Sequence, residues 1–233
     1  DHILEYGASR VVLATGSHWV GNGFGASGPD PIPGIDAETA AFVTPEQFFA
    51  GKATGSRVAV LDADGYFMDL SIAEMLVDRG KQVTLVTHHE VPAPMTERTL
   101  EGYNLRRMMR EKGIAERLSH WVSKAVADDT GVHLHLYDLY GDGYRRTTKP
   151  QPGVFPRRMA TTAEVLACDS VILCTARESN RALYNDLVAQ KDRWAGAGIK
   201  AVVRSGDCLA PRYLGDAIFD GHRIARAIES DNP

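Results

Sequence analysis

Residues Arg57 to His89 read RVAVLDADGYFMDLSIAEMLVDRGKQVTLVTHH. Arg57 to Leu61 is an apolar run of the length of a buried strand. Ile72, Ala73, Leu76 and Val77 then recur at the spacing that places them on one helical face, and Gly80 stands where a helix stops. QVTLVT is a second buried strand. Strand, helix and strand of this length predict a right-handed parallel crossover, the arrangement of a dinucleotide-binding unit. The turn that would meet the phosphates is poor in glycine. It contains Gly65 alone, after Asp62 and Asp64 and before Tyr66, Phe67 and Met68.

Glycines serve such a turn because its backbone must approach the pyrophosphate and aim helix-end N–H groups at it. A carboxylate about 6 Å from a phosphate charge costs roughly 3 kcal/mol at an effective dielectric near 20. The helix terminus returns only about 0.3–1 kcal/mol per charge. Repulsion wins. The second strand also ends in Thr87-His88-His89, where an NAD site offers an acidic residue to the ribose. Asp62, Asp64 and Gly65 therefore read as a degenerate NAD-like turn, an architecture kept after its ligand is lost.

Upstream, RVVLATG (Arg10 to Gly16) is a short buried strand ending in a glycine turn, and the Gly/Pro-rich GNGFGASGPDPIPGID is a loop. In TPEQFFAG, Thr44, Pro45 and Gln47 form a capping box with proline at the first helical position, and Gly51 ends the helix. Downstream, a helix is expected from about Thr96 to Lys112. HWVSKAVAD, GVHLHLYDL and YRRTTK, separated by DDTG and GDG, predict a three-stranded antiparallel meander. DSVILCTA repeats the pattern of SRVVLATG. The chain then runs through a strand (KAVVRSGD), a loop (CLAPRY) and a helix (LGDAIFDGHRIARAIES) in which Ala217, Ile218, Ile224, Ala225 and Ile228 are expected to face inward. The two similar strands bracket the middle of the chain. An α/β protein of two dinucleotide-binding domains is expected: residues 54–171 an inserted NAD-binding-like domain, and residues 1–53 and 172–233 the two parts of an FAD/ADP-binding-like domain incomplete at its N-terminus.

The composition of the 233 residues (44% apolar, 24% charged, net charge −4) is that of an ordinary globular protein, with no reason to expect nucleic-acid or anionic-membrane partners. No apolar run approaches the roughly 20 residues that span a bilayer. Cys168, Cys174 and Cys208 form no C-x-x-C pair, and Cys174 lies in an apolar strand where a thiol packs as a small hydrophobe. This usage suits a reducing cytoplasm. The opening DHILEYGASRVVLATG has no initiating Met and reads as part of a longer polypeptide.

Weaker constellations remain. His133 and His135 share a strand face and could begin a metal site, but no third ligand is apparent, and a solvated strand face gives the same pattern. His88 and His89 are expected to point apart, as neighbours along a strand do. Arg106, Arg107 and Arg110 suit either a docking patch for an acidic carrier or an exposed helix face. No Gly-x-Ser-x-Gly, paired-carboxylate or Cys/His pattern occurs, so neither catalytic residues nor a metal site are expected.

The order of elements resembles the paired dinucleotide-binding domains of disulfide-reductase-type flavoproteins. More closely, ATGSHW, DPIPGIDA, TPEQFFAGK, DADGYFM, LYGDGYRRT, PGVFPR and GDCLAPRYLGDAIFDGHRIARAIE resemble the C-terminal part of the trimethylamine, dimethylamine and histamine dehydrogenase family. The 2,4-dienoyl-CoA reductases share that architecture. The resemblance implies a parent oxidoreductase acting on CH–NH donors, with an N-terminal barrel domain carrying FMN, a 4Fe-4S cluster and the substrate site. It also implies a homo-oligomer that passes electrons to an electron-transfer flavoprotein and holds ADP in its FAD-like domain. None of these cofactors is expected on the present chain. By the same resemblance, Gly206 and Asp207 stand at the ribose–pyrophosphate side of FAD or ADP, with Ala14, Thr15 and Gly16 along the same edge. A Gly-Asp turn that merely caps the final helix fits these residues equally. The rival reading is an NAD(P)H- or FAD-dependent reductase domain with an active nucleotide site. It calls for two intact glycine fingerprints and, for disulfide reduction, a redox cysteine pair.

Overall fold

A computed structural model describes residues 2–25, 30–141, 144–146, 158–160 and 164–229. The chain forms two compact units, Asp1–His18 with Arg177–Pro233 and Trp19–Ala176.

The inner unit is a mixed α/β fold around a five-stranded parallel sheet. Its strands lie in the order Phe42–Val43, Ser170–Cys174, Arg57–Asp62, Gln82–Thr87, Ala115–Arg117. The expected parallel crossover is present, with Val58 opposite Val83. Both faces of the sheet are covered, and the period of two along each strand sorts its residues between them. Val58 and Val60 pack with Leu70, Ile72, Ala73 and Leu76 of the Met68–Asp78 helix. Ala59 and Leu61 pack with Trp121, Leu134 and Leu136 of the antiparallel layer.

Three features of this unit differ from expectation. Residues 19–53 and 172–176, read as parts of the outer domain, lie in the inner unit, because Trp19, Val43, Phe48, Ile172 and Cys174 share its core and Phe42–Val43 pairs with Ser170–Cys174. The third strand beside His120–Asp128 and Gly131–Asp138 is Glu164–Cys168, whereas Tyr144–Arg146 pairs with Arg158–Ala160. Leu166 and Cys168 alternate onto the core side. The rest of YRRTTK lies outside the described residues. The helix expected from Thr96 is interrupted: Pro94–Thr99 is a 3₁₀ turn, Leu100 turns left-handed at φ 63°, and the α-helix is Gly102–Glu111. The Thr96 hydroxyl donates to the Ala93 carbonyl at 2.6 Å, a local bond that competes with helical continuation.

The capping box is formed as read. Thr44 Oγ1 accepts from the Gln47 N–H (3.3 Å) and Gln47 Oε1 accepts from the Thr44 N–H (3.0 Å). Thr44→Ala is expected to cost about 1 kcal/mol, read as a shift of the urea midpoint without a change in slope.

The outer unit has a parallel strand pair, Arg10–Leu13 with Ala201–Arg204. Its core holds Leu4, Leu13, Leu187, Ile199 and Cys208. The final helix, Leu214–Glu229, buries less than its pattern suggested. Ile224 is buried and Ala217 half-buried, but Ile218, Ala225 and Ile228 are exposed. Within the outer unit this helix packs chiefly against the Gly206–Cys208 turn, and the core of Leu4, Leu13, Leu187, Ile199 and Cys208 takes none of its side chains. No helix among the described residues is long and apolar enough to cross a membrane.

Candidate functional site

Ligands of open α/β sheets bind outside the carboxyl ends of the strands, where strand order reverses. In the inner sheet that point lies between Arg57–Asp62 and Ser170–Cys174. The loop at Gly25 packs there: a Cβ on Gly25 would stand 3.1 Å from Ala63 Cβ and 3.3 Å from the Thr175 carbonyl oxygen.

Asp62 does not face outward toward a phosphate position, as the repulsion argument assumed. It is wholly buried. Its Oδ1 accepts from the Gly65 N–H at 2.7 Å and its Oδ2 from the Thr87 hydroxyl at 2.9 Å. The turn amide that a bound anion would use is held by the chain's own carboxylate. Burial pushes the Asp62 carboxyl up to about 6, with the Gly65 and Thr87 hydrogen bonds pulling the other way and the Asp64 charge adding to the rise. Gly65 is left-handed at φ 65°, and a Cβ there would meet His89 Nε2 at 2.5 Å. Glycine is thus required by the turn itself. Asp64 is half-buried beside it, and Tyr66 and Phe67 stack edge to face at 4.8 Å.

One residue of this edge was missed. Asp69 lies in the first turn of the Met68–Asp78 helix, is buried, and accepts no well-formed hydrogen bond at either oxygen. Burial raises its carboxyl well above the usual range and the neighbouring Asp62 charge adds to this. The nearby N–H groups of Leu70 and Asp69 itself offset it only in part. A signal existed: Asp69, Ile72, Ala73 and Leu76 fall at i, i+3, i+4 and i+7, so the acid sits on the apolar stripe.

His88 and His89 do not point apart. The strand ends at Thr87, so its alternation no longer applies, and the two rings lie 3.9 Å apart at 38°. The His88 ring meets Trp121 edge-on at 5.7 Å. Burial lowers both imidazoles, and the neighbouring ring adds to this for His89, which falls to about 4. Both are therefore neutral at pH 7. His88 Nδ1, His89 Nε2 and Thr175 Oγ1 join the Asp69 oxygens as buried atoms without hydrogen-bond partners.

Elsewhere, His133 Nε2 lies 3.0 Å from Thr130 Oγ1 and 3.2 Å from Asp128. No His/Cys/Asp/Glu group suited to a metal occurs among the described residues. Arg106 pairs with Glu97, and Arg107 with Glu111 at 2.7 Å, so part of the arginine patch is neutralised within its own surface.

In the outer unit the sequence-read residues leave the same end of the strand pair. Ala14, Thr15 and Gly16 follow Arg10–Leu13, while Gly206 and Asp207 follow Ala201–Arg204. Thr15 Oγ1 donates to the Asn180 carbonyl at 2.6 Å and lies 3.1 Å from Cys208 Sγ. The Gly16 carbonyl accepts from the Asn180 N–H at 2.9 Å. Both Asp207 oxygens are engaged: Oδ2 accepts from Ser17 Oγ (2.9 Å) and Arg177 Nη1 (2.8 Å), and Oδ1 from the Arg212 N–H (3.2 Å). Ser17, Arg177 and Arg212 were not read from the sequence, which has no local pattern linking them to Asp207.

Residues 43–175 match the family described as the OYE-like second alpha/beta domain. The chain belongs to this family. Over its whole length it is 41% identical to dimethylamine dehydrogenase of Hyphomicrobium sp. (strain x), covering 31% of that protein. The structure of histamine dehydrogenase from Rhizobium sp. 4-9 superposes with a TM-score of 0.81 at 29% identity, over 99% of this chain and 32% of that one. The 6-hydroxypseudooxynicotine amine oxidase of Pseudomonas geniculata N1 gives 0.76 at 29% identity, over 94% of this chain and 29% of that one. The chain thus spans about a third of the length of these relatives. These similarities agree with the family resemblance seen in the sequence.

Proposed function

We propose that this chain is the nucleotide-binding-fold region of an amine-dehydrogenase-like flavoprotein oxidoreductase, structural in role and without catalysis of its own. Its inner unit is a Rossmann-like domain emptied of nucleotide, and its outer unit keeps half of an ADP-type site. The observation that carries the reading is the Asp62 carboxylate seated on the Gly65 amide, with the Gly25 loop over the strand ends. A dinucleotide would have to displace both. At the outer edge an ADP ribose would have to take Asp207 from Arg177 and Ser17. The dehydrogenase relatives extend the proposal to the parent: FMN and a 4Fe-4S cluster on an N-terminal barrel domain, an electron-transfer flavoprotein as acceptor, a homo-oligomeric assembly and a cytoplasmic location.

Calorimetric titration tests this. NADH and NADPH are expected to show no measurable binding to the chain. Micromolar NADH binding that a substitution between Asp62 and Met68 abolishes would establish an active nucleotide site and overturn the reading.

A further inference from the structure

We propose that the carboxyls of Asp62 and Asp69 form a one-proton latch that keeps the turn at residues 63–67 closed, and that removing the proton opens it. Both carboxyls are sealed from water, seven positions apart across one turn and the first helical residues. Only Asp62 has the donors that stabilise a charge, the Gly65 amide and the Thr87 hydroxyl. Asp69 has none of good geometry. Among the described residues, the groups whose charge acts on the pair include no cation. Asp64 lies on the turn itself, His88 and His89 follow the adjoining strand and are neutral, and Cys174 and Glu46 share the same field from the neighbouring strand and the Pro45–Phe49 helix. A sealed second charge in such surroundings is disfavoured both by desolvation and by the first charge. One proton, carried on Asp69, resolves the conflict while Asp62 holds the turn.

The closing contacts are few. The Gly65 N–H is held by Asp62, the Gly65 carbonyl accepts from the Met95 N–H at 2.9 Å, and the helix start has no side-chain cap. Phe67 is already 42% exposed, so Asp69 can reach water by fraying of the first helical turn without crossing the core. The sign follows from the direction of the shifts. Both carboxyls are raised above an unfolded value of about 4. Their contribution to stability is therefore complete below about pH 4 and declines as pH rises through about 6 and beyond.

Infrared spectroscopy and amide exchange on the chain, with Asp69→Asn and Asp62→Asn, test the latch. At pH 7 the wild type should show the carbonyl band of a protonated carboxylic acid, absent from Asp69→Asn. As the pH is raised above 7, exchange at the Gly65 and Leu70 amides should rise faster than base catalysis alone requires in the wild type, but not in Asp69→Asn. The melting temperature of the wild type should fall relative to Asp69→Asn over the same range by at least about 3 °C. In Asp62→Asn, which lacks the like charge, the opening step should move to lower pH. Parallel pH curves for wild type and Asp69→Asn, or no acid band in the wild type at pH 7, would overturn the proposal even if either variant folds poorly, since the band is read on the unaltered chain.

Discussion

Asp207→Ala is expected to destabilise the chain by about 2–3 kcal/mol, the cost of leaving the Arg177 guanidinium and the Ser17 hydroxyl without their shared acceptor. Breaking a fully buried ion pair costs about 3–5 kcal/mol. Here the side chains of Arg177 and Asp207 are 21% and 24% exposed, so water recovers part of it. Urea denaturation of wild type, Asp207→Ala and Asp207→Asn measures the effect, and the asparagine, which keeps an acceptor, should lose less. The experiment also separates a structural clamp from a ligand-holding acid. A change below about 0.5 kcal/mol would mean that water serves those donors equally well and that Asp207 is not a structural clamp.

Lys52→Met should be at least as damaging, at about 3 kcal/mol, or a melting temperature lower by about 6–12 °C. The Lys52 ammonium donates to the carbonyls of Ala37 (2.6 Å), Thr39 (2.8 Å) and Phe42 (2.9 Å) and reaches Gln47 Oε1 at 3.3 Å. It gathers the loop before the Phe42–Val43 strand onto the end of the capped helix. Methionine preserves the stem but strips charge-assisted bonds from several main-chain acceptors at once. Lys52→Arg, which keeps donors and charge, should recover part of the loss. A Lys52→Met chain melting within about 2 °C of wild type would show that water replaces the ammonium at those carbonyls.

Much of the parallel layer was legible in the sequence. Val58 to Leu61 and Val171 to Cys174 are apolar runs because both faces of that sheet are covered, and burial on both sides leaves its record in consecutive residues. Ile72, Ala73 and Leu76 declared the helix face, and Thr44 with Gln47 its neighbour's start, since caps and stripes join residues only a turn apart. The single glycine after Leu61 likewise marked the tight turn, where Gly65 is left-handed at φ 65°. The tertiary structure decided where the polar atoms go. Asp62 turns inward because Thr87, 25 positions on, comes alongside to donate to it, and Asp69 is stranded because, among the described residues, no opposite charge comes to its side. Asp207 finds Arg177 and Ser17 at separations of 30 and 190 positions, distances over which no periodic pattern extends. Glu164–Cys168, and not Tyr144–Arg146, completes the antiparallel sheet, since two short strands can each satisfy a neighbour's hydrogen bonds and only packing against Leu134 and Leu136 selects between them. Apolar burial is written residue by residue along a chain. The partner of a buried charge depends on where the chain comes back.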